Sequence, residues 1–156
     1  MRIRLLFVGK SDASEYARRV ERYVTRIGRF AACDVTVVKE EKLGEKPDEG
    51  RVRAKEGERL LAALAPRDLL VLADERGKQR TSEEFARDLR SWLDASPSAV
   101  AFAVGGAFGL DPALRERARD ILSLSRMTLP HQLARVVLTE QIYRATATLS
   151  GVAYSK

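Results

Sequence analysis

Two uninterrupted apolar runs place the strongest limit on how this chain can fold. Residues 68–74 read DLLVLAD, and residues 99–104 read AVAFAV. Runs of this length without polar alternation are typical of strands that are covered on both faces, as in parallel sheets. A helical pattern separates them, which is the order of a β-α-β unit. The sequence therefore predicts an α/β domain with a largely parallel sheet and helices on both faces.

Strand and helix patterns alternate along the rest of the chain. The predicted strands are 3–8, 35–38, 68–74 and 99–104. The predicted helices run from Asp12 or Ser14 to Ile27, from Arg51 to Leu64, from Thr81 until Pro97, from Asp111-Pro112 onward, and from His131 to Leu149. Residues 39–50 are predicted to form an exposed loop, and residues 74–78 a turn.

Local signals mark several of these boundaries. Thr81 and Glu84 have the spacing of a capping box. Asp111-Pro112 supplies an N-cap and a first-turn proline. Gly57 lies inside a predicted helix, where glycine costs about 1 kcal/mol relative to alanine. It therefore indicates a close packing contact.

Composition limits the classes of function. A chain of 156 residues, 45% of them hydrophobic, has the size of one domain, 1–156. The net charge of +6 fits an ordinary soluble surface or an anionic partner, with nucleic acid favoured over membrane. One cysteine and one histidine provide neither a disulfide nor a metal cluster. Without a signal segment or a membrane-length apolar run, the protein is predicted to be cytoplasmic.

Charged side chains on the helices allow two interpretations. The first helix carries Arg18, Arg19, Arg22 and Arg26. These can face solvent or meet phosphate, and solvation is the simpler interpretation because no base-stacking aromatic is paired with them. On the last helix, Glu140 and Arg144 are four residues apart and are expected to form an ordinary ion pair.

Two bends join strands to helices late in the chain. The first, the glycine corner, contains Gly105-Gly106 and Gly109 at the end of an apolar run. The second, the proline corner (residues 124–131), enters the last helix through Thr128-Leu129-Pro130-His131. Proline favours an extended residue before it and a helix after it. Ligands of parallel sheets bind beyond the carboxyl ends of the strands, so the two corners are expected to be walls of one site.

The residues of these corners favour a cofactor held by backbone groups. The glycine corner is not a GxGxxG fingerprint and by itself indicates a helix-entry turn, and neither a Walker lysine nor a supported Ser-His-Asp set is present. A cofactor packed against Leu124, Met127 and Leu129 fits better, and an adenine ring can be bound in this way. The last helix is apolar on more than one side, which predicts a symmetric dimer.

Both corners also resemble a known family. The matching motifs are Gly105-Gly106 with Gly109-Leu110, Leu122-Ser123-Leu124-Ser125, Thr128-Leu129-Pro130-His131-x-Leu133-x-Arg135, Glu140-Gln141-x-Tyr143-Arg144-Ala145, and Gly151 before Tyr154. Looser matches are Lys55-Glu56-Gly57 and Asp74-x-x-Gly77-Lys78. On these residues the chain resembles the RlmH type of 23S rRNA pseudouridine N3-methyltransferase, a member of the SPOUT superfamily.

The resemblance implies a fold, a cofactor and partners. The fold would be SPOUT-like, with a deep C-terminal trefoil knot. The protein would form a homodimer, and neither a membrane nor a metal ion would be a partner. The methyl donor would be S-adenosylmethionine, and the substrate a pseudouridine of 23S rRNA in the assembled ribosome. By matching position, the cofactor would touch Ala73, Gly105, Leu124, Ser125, Arg126, Met127, Thr128 and Leu129.

The catalytic group is left open between Tyr154, Arg135 and His131. Arg135 can offer charge to a phosphate or base carbonyl, and His131 can move a proton or serve structure. Family members usually carry a Tyr-His pair where this chain reads Tyr154-Ser155-Lys156. Tyr154, Lys156 or water would then replace that histidine, or the enzyme would be slower. The alternatives are a catalytically weak or silent RNA- or ribosome-binding SPOUT-fold protein, and a SPOUT methyltransferase acting on another RNA.

Overall fold

A computed structural model describes residues 1–10 and 15–152 of the chain. The strands are β1 (Arg2–Val8), β2 (Ala32–Val38), β3 (Leu69–Gln79), β4 (Val100–Val104) and β5 (Asp120–Ser123). The helices are α1 (Glu15–Ile27), α2 (Glu49–Ala62), α3 (Ser82–Asp94), α4 (Pro112–Arg117) and α5 (His131–Leu149). The predicted alternation of strands and helices is confirmed.

The five strands of the described residues form one parallel sheet in the order β2-β1-β4-β3-β5. Every residue of the central strand β4 is buried, which explains its continuous apolar sequence. Val104, the last residue of β4, pairs with Phe7 of β1 and with Ala73 of β3. The chain segments that follow these residues therefore leave from the same edge of the sheet.

Helices cover both faces of the sheet, as predicted. Helices α1, α3 and α5 pack on the face that carries Ile3, Leu5 and Phe7. Helices α2 and α4 pack on the opposite face, against Leu6 and Val8. Alternate side chains of β1 thus enter two separate cores, as the two-residue period of a strand requires.

Strand β3 differs from its prediction. The turn predicted over residues 74–78 is wrong, because β3 continues through this segment. Ala73 and Lys78 both pair with Leu122 of β5, so residues 74–77 bulge out of the ladder between them. We call these four residues the β3 bulge. Polar residues after an apolar run look like a turn in the sequence. In the structure, β3 pairs with β5 again beyond these residues, at Lys78 and Gln79.

Several boundary predictions are confirmed. Helix α5 has the predicted first and last residues. Thr81 and Glu84 form both hydrogen bonds of the capping box at the start of α3. The side chain of Asp111 caps α4. The predicted caps of α1, Asp12 and Ser14, lie outside the described residues.

Helix α5 lies between α1 and α3, which cover much of its apolar surface. The ring of Tyr143 lies 6.0 Å from that of Tyr23 on α1. Leu133 and Val137, two apolar residues of α5, remain half-buried. The predicted ion pair between Glu140 and Arg144 forms at 2.8 Å.

No helix in the described part of the chain has both the length and the apolarity to cross a membrane.

Gly57 lies where α2 meets α4, which confirms the predicted close contact. A Cβ at Gly57 would lie 2.7 Å from the Cβ of Asp111. Gly57→Ala is expected to lower the free energy of unfolding by about 1–3 kcal/mol, because overpacking outweighs the better helix propensity of alanine. Gly50→Ala is the matched control in the same helix, since its Cβ would lie 3.4 Å from an oxygen of Asp48. Urea unfolding compares the two, and unchanged stability of Gly57→Ala would contradict the packing account.

Candidate active site

A large cleft opens at the carboxyl end of β4, beside Ala73, the last residue of β3 that pairs with β4. Its volume is about 760 Å³, within the range of cofactor sites. The glycine corner, the proline corner and the β3 bulge all line it. The described residues contain no group of His, Cys, Asp or Glu side chains suited to a metal ion. Because both predicted corners meet at the ligand-binding edge of a parallel sheet, this cleft is the candidate active site.

The glycine corner requires close approach of two backbone segments. A Cβ on Gly105 would lie 2.8 Å from the carbonyl group of Gly109, so a larger residue would push these segments apart. The backbone N–H of Gly109 donates a hydrogen bond to the carbonyl oxygen of Gly106 at 3.1 Å. Gly109 has a φ of 82°, a conformation that favours glycine. The three glycines therefore present backbone to the cleft, beside Ala107 and Phe108.

Hydroxyl groups of Ser123, the last residue of β5, and of Ser125 hold the proline corner. Ser123 Oγ donates a hydrogen bond to the carbonyl oxygen of Ser125 at 3.0 Å. The backbone N–H of Met127 donates to Ser125 Oγ, also at 3.0 Å. Pro130 is extended and leads directly into α5, as predicted. The side chain of Met127 is 77% exposed at the cleft, where it is available to contact an apolar part of a ligand.

The β3 bulge closes the cleft on its third side. Gly77 allows it to form, because a Cβ there would lie 2.5 Å from a carbonyl oxygen of β5. Asp74 is ion-paired with Arg115 of α4. Glu75 accepts a hydrogen bond from Thr128 Oγ1 at 2.6 Å. This last bond joins the bulge to the proline corner across the cleft wall.

Most of the predicted cofactor residues surround the cleft. Those that line it are Ala73, Gly105, Leu124, Ser125, Met127, Thr128 and Leu129. Arg126 belongs to the proline corner but is exposed and does not line the cleft. Among the catalytic candidates, His131 lines the cleft and Arg135 does not. Tyr154 lies outside the described residues.

Arg135 has no exposed surface and is the largest of the fully buried side chains. Its guanidinium group donates hydrogen bonds to the carbonyl oxygens of Val8 and Gly9. It also lies 5.0 Å from the centroid of the Phe7 ring. Burial lowers the pKa of Arg135, and the carboxylate of Glu40 acts in the opposite direction. In this position Arg135 connects α5 to the carboxyl end of β1.

His131, the first residue of α5, is a half-buried residue in the cleft wall. Burial lowers the pKa of its imidazole below the ordinary value of 6.5, and the charge of Arg135 lowers it further. The nearby carboxylate of Glu40 acts in the opposite direction. The lowered pKa favours the neutral imidazole, which is the form that can accept a proton.

This lowered pKa predicts how stability depends on pH. The unfolded chain takes up a proton on His131 more readily than the folded protein does. The stability contributed by the neutral imidazole is therefore fully present above about pH 6.5 and is lost as the pH falls through the folded pKa. His131→Gln should show a smaller loss of unfolding free energy between about pH 7.5 and pH 5 than the wild type, as measured by urea unfolding. Equal losses in both proteins would contradict the assigned direction of the pKa shift.

Glu56, which the sequence analysis named only within a loose motif match, is a buried residue beside the glycine corner. Its side chain is only 4% exposed, and Oε1 accepts a hydrogen bond from the backbone N–H of Glu41 at 3.0 Å. Its Oε2 lies 2.6 Å from where a Cβ on Gly106 would be. Burial raises the pKa of Glu56, whereas the hydrogen bond from Glu41 lowers it. The signal was present, because Val52, Glu56 and Leu60 share the buried face of α2 at four-residue spacing.

Comparison with known protein families assigns the chain to one of them. The family model described as "Predicted SPOUT methyltransferase" matches residues 1–155. The chain therefore belongs to the SPOUT methyltransferase family.

Curated relatives of the same length place it within that family. The chain is 41% identical over 156 residues to the Ribosomal RNA large subunit methyltransferase H of Anaeromyxobacter sp. (strain Fw109-5), with all of both chains covered. It is 40% identical over 154 residues to the protein of that name from Geotalea daltonii, with 99% of each chain covered. The Porphyromonas gingivalis (strain ATCC 33277) protein is 38% identical, over 99% of this chain and 98% of the relative. The predicted resemblance to the RlmH type is confirmed.

Solved structures support the fold at lower sequence identity. A probable methyltransferase from Bordetella pertussis Tohama I superposes with a TM-score of 0.57 at 19% identity, over 93% of this chain and 96% of the other. A probable methylase family protein from Haemophilus influenzae gives a TM-score of 0.56 at 11% identity, over 99% and 70% of the two chains. Both similarities concern the fold alone.

Proposed function

We propose that this protein uses S-adenosylmethionine to methylate N3 of a pseudouridine in the 23S rRNA of the large ribosomal subunit. The observation that carries the proposal is the meeting of the two corners at one cleft, in a chain that belongs to a methyltransferase family. Relatives of the same length, named as large-subunit rRNA methyltransferases, support RNA as the substrate class. The net charge of +6 is consistent with a polyanionic substrate.

The cleft has the properties that an adenosine-containing cofactor needs. Its glycine corner offers backbone groups at close range, and Leu124, Met127 and Leu129 offer apolar surface to a flat ring. Ala73 would contact the cofactor from the last position at which β3 pairs with β4. The cofactor would supply a methyl group bonded to a positively charged sulfur. The proline corner would complete the contacts with the cofactor through Ser125, Thr128 and the neighbouring backbone amides. Arg126 would contact it from the rim of the cleft.

The protein must align the base and accept its N3 proton. The methyl group replaces the hydrogen on N3, so one proton leaves for each methyl group transferred. His131 lies in the cleft wall, and its lowered pKa favours the neutral imidazole that can accept this proton. Arg135 would position the start of α5 through its hydrogen bonds to the carbonyl oxygens of Val8 and Gly9. Tyr154 is the further candidate for contact with the base.

The protein would act as a homodimer. Leu133 and Val137 leave half-buried apolar surface on α5, and a homodimer would cover it. We include the C-terminal trefoil knot in the proposal because the family resemblance implies it. One catalytic domain over residues 1–156, acting in the cytoplasm where ribosomes are found, is the simplest arrangement.

Two measurements test the function. S-adenosylmethionine at millimolar concentration should raise the melting temperature, because a ligand that binds only the folded state stabilises it. The protein should also transfer one methyl group to the target pseudouridine in ribosomes from a strain lacking the modification, as detected by mass spectrometry of rRNA fragments. Cofactor binding without transfer to any ribosomal RNA would favour a silent RNA-binding protein. Transfer to a different RNA would keep the enzyme class and correct the substrate.

A further inference from the structure

Helix α1 presents a row of arginines. Arg18, Arg22 and Arg26 are four residues apart, a spacing that places side chains on one stripe of a helix. Arg29 follows just beyond the end of the helix, and we call these four residues the arginine stripe. Arg18, Arg22 and Arg29 are exposed. The stripe lies opposite Val20 and Ile27, which are buried in the core.

Within residues 1–10 and 15–152, the exposed members of the stripe have no acidic partner. Among the residues that the structure describes, Arg18, Arg22 and Arg29 form no ion pair, whereas Arg19 beside them is bonded to Glu15 at 3.3 Å. Like charges at four-residue spacing repel one another. A bound polyanion would relieve this repulsion between the arginines. Without such a ligand the repulsion remains in the folded protein.

Arg26 is ordered by aromatic rings. Its guanidinium carbon lies 5.9 Å from the centroid of the Tyr23 ring and 5.6 Å from that of Tyr143. Stacking of this kind leaves the edge of the guanidinium available for hydrogen bonds, the geometry with which arginine recognises phosphate. The contact with Tyr143 also couples the stripe to α5, the helix whose first residue lines the cleft.

The arginine stripe begins near the sheet edge that carries the cleft. Helix α1 follows the carboxyl end of β1, so it begins at the same edge of the sheet as the cleft. It packs alongside α5, which also begins at that edge. A polyanion that lies along α1 can therefore continue toward the cleft.

We propose that the arginine stripe binds consecutive phosphates of the rRNA segment next to the nucleotide that enters the cleft. The inference rests on the proposed function, because it assumes that RNA is the substrate. Arginine forms paired hydrogen bonds with phosphate oxygens, and a row of such residues fits a repeated phosphate chain. A membrane surface is a poorer partner, since the apolar face of α1 is buried rather than free to enter lipid.

The test compares two charge-reversal variants of equal size. Arg18→Glu with Arg22→Glu alters the stripe. Arg87→Glu with Arg90→Glu makes the same charge change at exposed positions of α3 and is the control. The first readout is equilibrium binding to large ribosomal subunits across a range of salt concentrations. The others are the melting-temperature shift with S-adenosylmethionine, methyl-transfer kinetics and the sedimentation coefficient.

The stripe variant should bind large subunits about tenfold or more weakly than the wild type. The slope of its log binding constant against log salt concentration should become shallower by the amount expected for about two lost phosphate contacts. Its response to S-adenosylmethionine and its kcat should stay unchanged while KM rises. The control variant should keep both binding and salt dependence close to wild type. Equal weakening of binding in the two variants would show that only the net charge of the protein matters, and this would overturn the proposal.

Other outcomes separate the alternatives. Loss of the dimer in the stripe variant would assign α1 to the subunit interface, and binding of the wild type to anionic phospholipid vesicles in place of ribosomes would assign it to a membrane surface. Either result overturns the proposal. A wild type that binds subunits through the stripe but transfers no methyl group would retain the stripe and reject the proposed function.

Discussion

Gly105→Ala is expected to weaken binding of S-adenosylmethionine by about 10- to 100-fold. The added Cβ would lie 2.8 Å from the carbonyl carbon and oxygen of Gly109, which are backbone atoms that cannot rotate away. The glycine corner must then open, and overpacking of this kind costs about 1–3 kcal/mol. If that cost falls on the cofactor-binding conformation, it equals a loss of one to two orders of magnitude in affinity. Isothermal titration with the cofactor measures the change.

Gly44→Ala is the control for this effect. Gly44 is exposed in the loop before α2, and no atom lies within 4 Å of the position that its Cβ would take. The control should bind the cofactor like the wild type. Unfolding curves of both variants separate lost affinity from lost stability. Wild-type affinity in a folded Gly105→Ala protein would show that the glycine corner does not contact the cofactor.

Arg135→Ala is expected to lower the free energy of unfolding by about 3–5 kcal/mol. The side chain is fully buried, so its removal leaves a cavity and also takes the donor away from the carbonyl oxygens of Val8 and Gly9. Its contact with the Phe7 ring is lost as well. Arg126→Ala, at an exposed position of the proline corner, should change stability by no more than about 0.5 kcal/mol. Urea unfolding monitors both.

Arg135→Lys distinguishes a structural role from a catalytic one, and it serves if the alanine variant does not fold. A lysine keeps the charge but cannot reach two carbonyl oxygens with the same fork of donors. Its stability should lie between those of the wild type and the alanine variant. A positioning role predicts that cofactor affinity and kcat fall together with stability. Full stability with a large loss of kcat would instead return Arg135 to direct contact with the reacting base.

The elements with strong local signals were predictable from the sequence. Helix α5 was predicted with its observed bounds, because Pro130 fixes its start. The capping box of Thr81 and Glu84 and the close contact at Gly57 were also predictable from local chemistry. The two corners could be placed in one cleft because strand ends of a parallel sheet share an edge.

Features set by partners distant in sequence were not predictable in this way. The extension of β3 depends on pairing with β5 beyond the β3 bulge, and a polar segment with a glycine looks locally like a turn. The strand order depends on which segments pair across the whole chain. The burial of Arg135 depends on the carbonyl oxygens of β1, more than 100 residues earlier. Neither charge nor helical spacing reveals such a partner.

The most direct test of the account is a crystal structure of the protein with bound S-adenosylmethionine or its demethylated product. The adenosine should lie between the backbone of the glycine corner and residues 124–129 of the proline corner, with the methyl-bearing sulfur toward the side of the cleft that His131 lines. A cofactor bound elsewhere, or a cleft that stays empty at saturating cofactor while the protein remains folded, would contradict it.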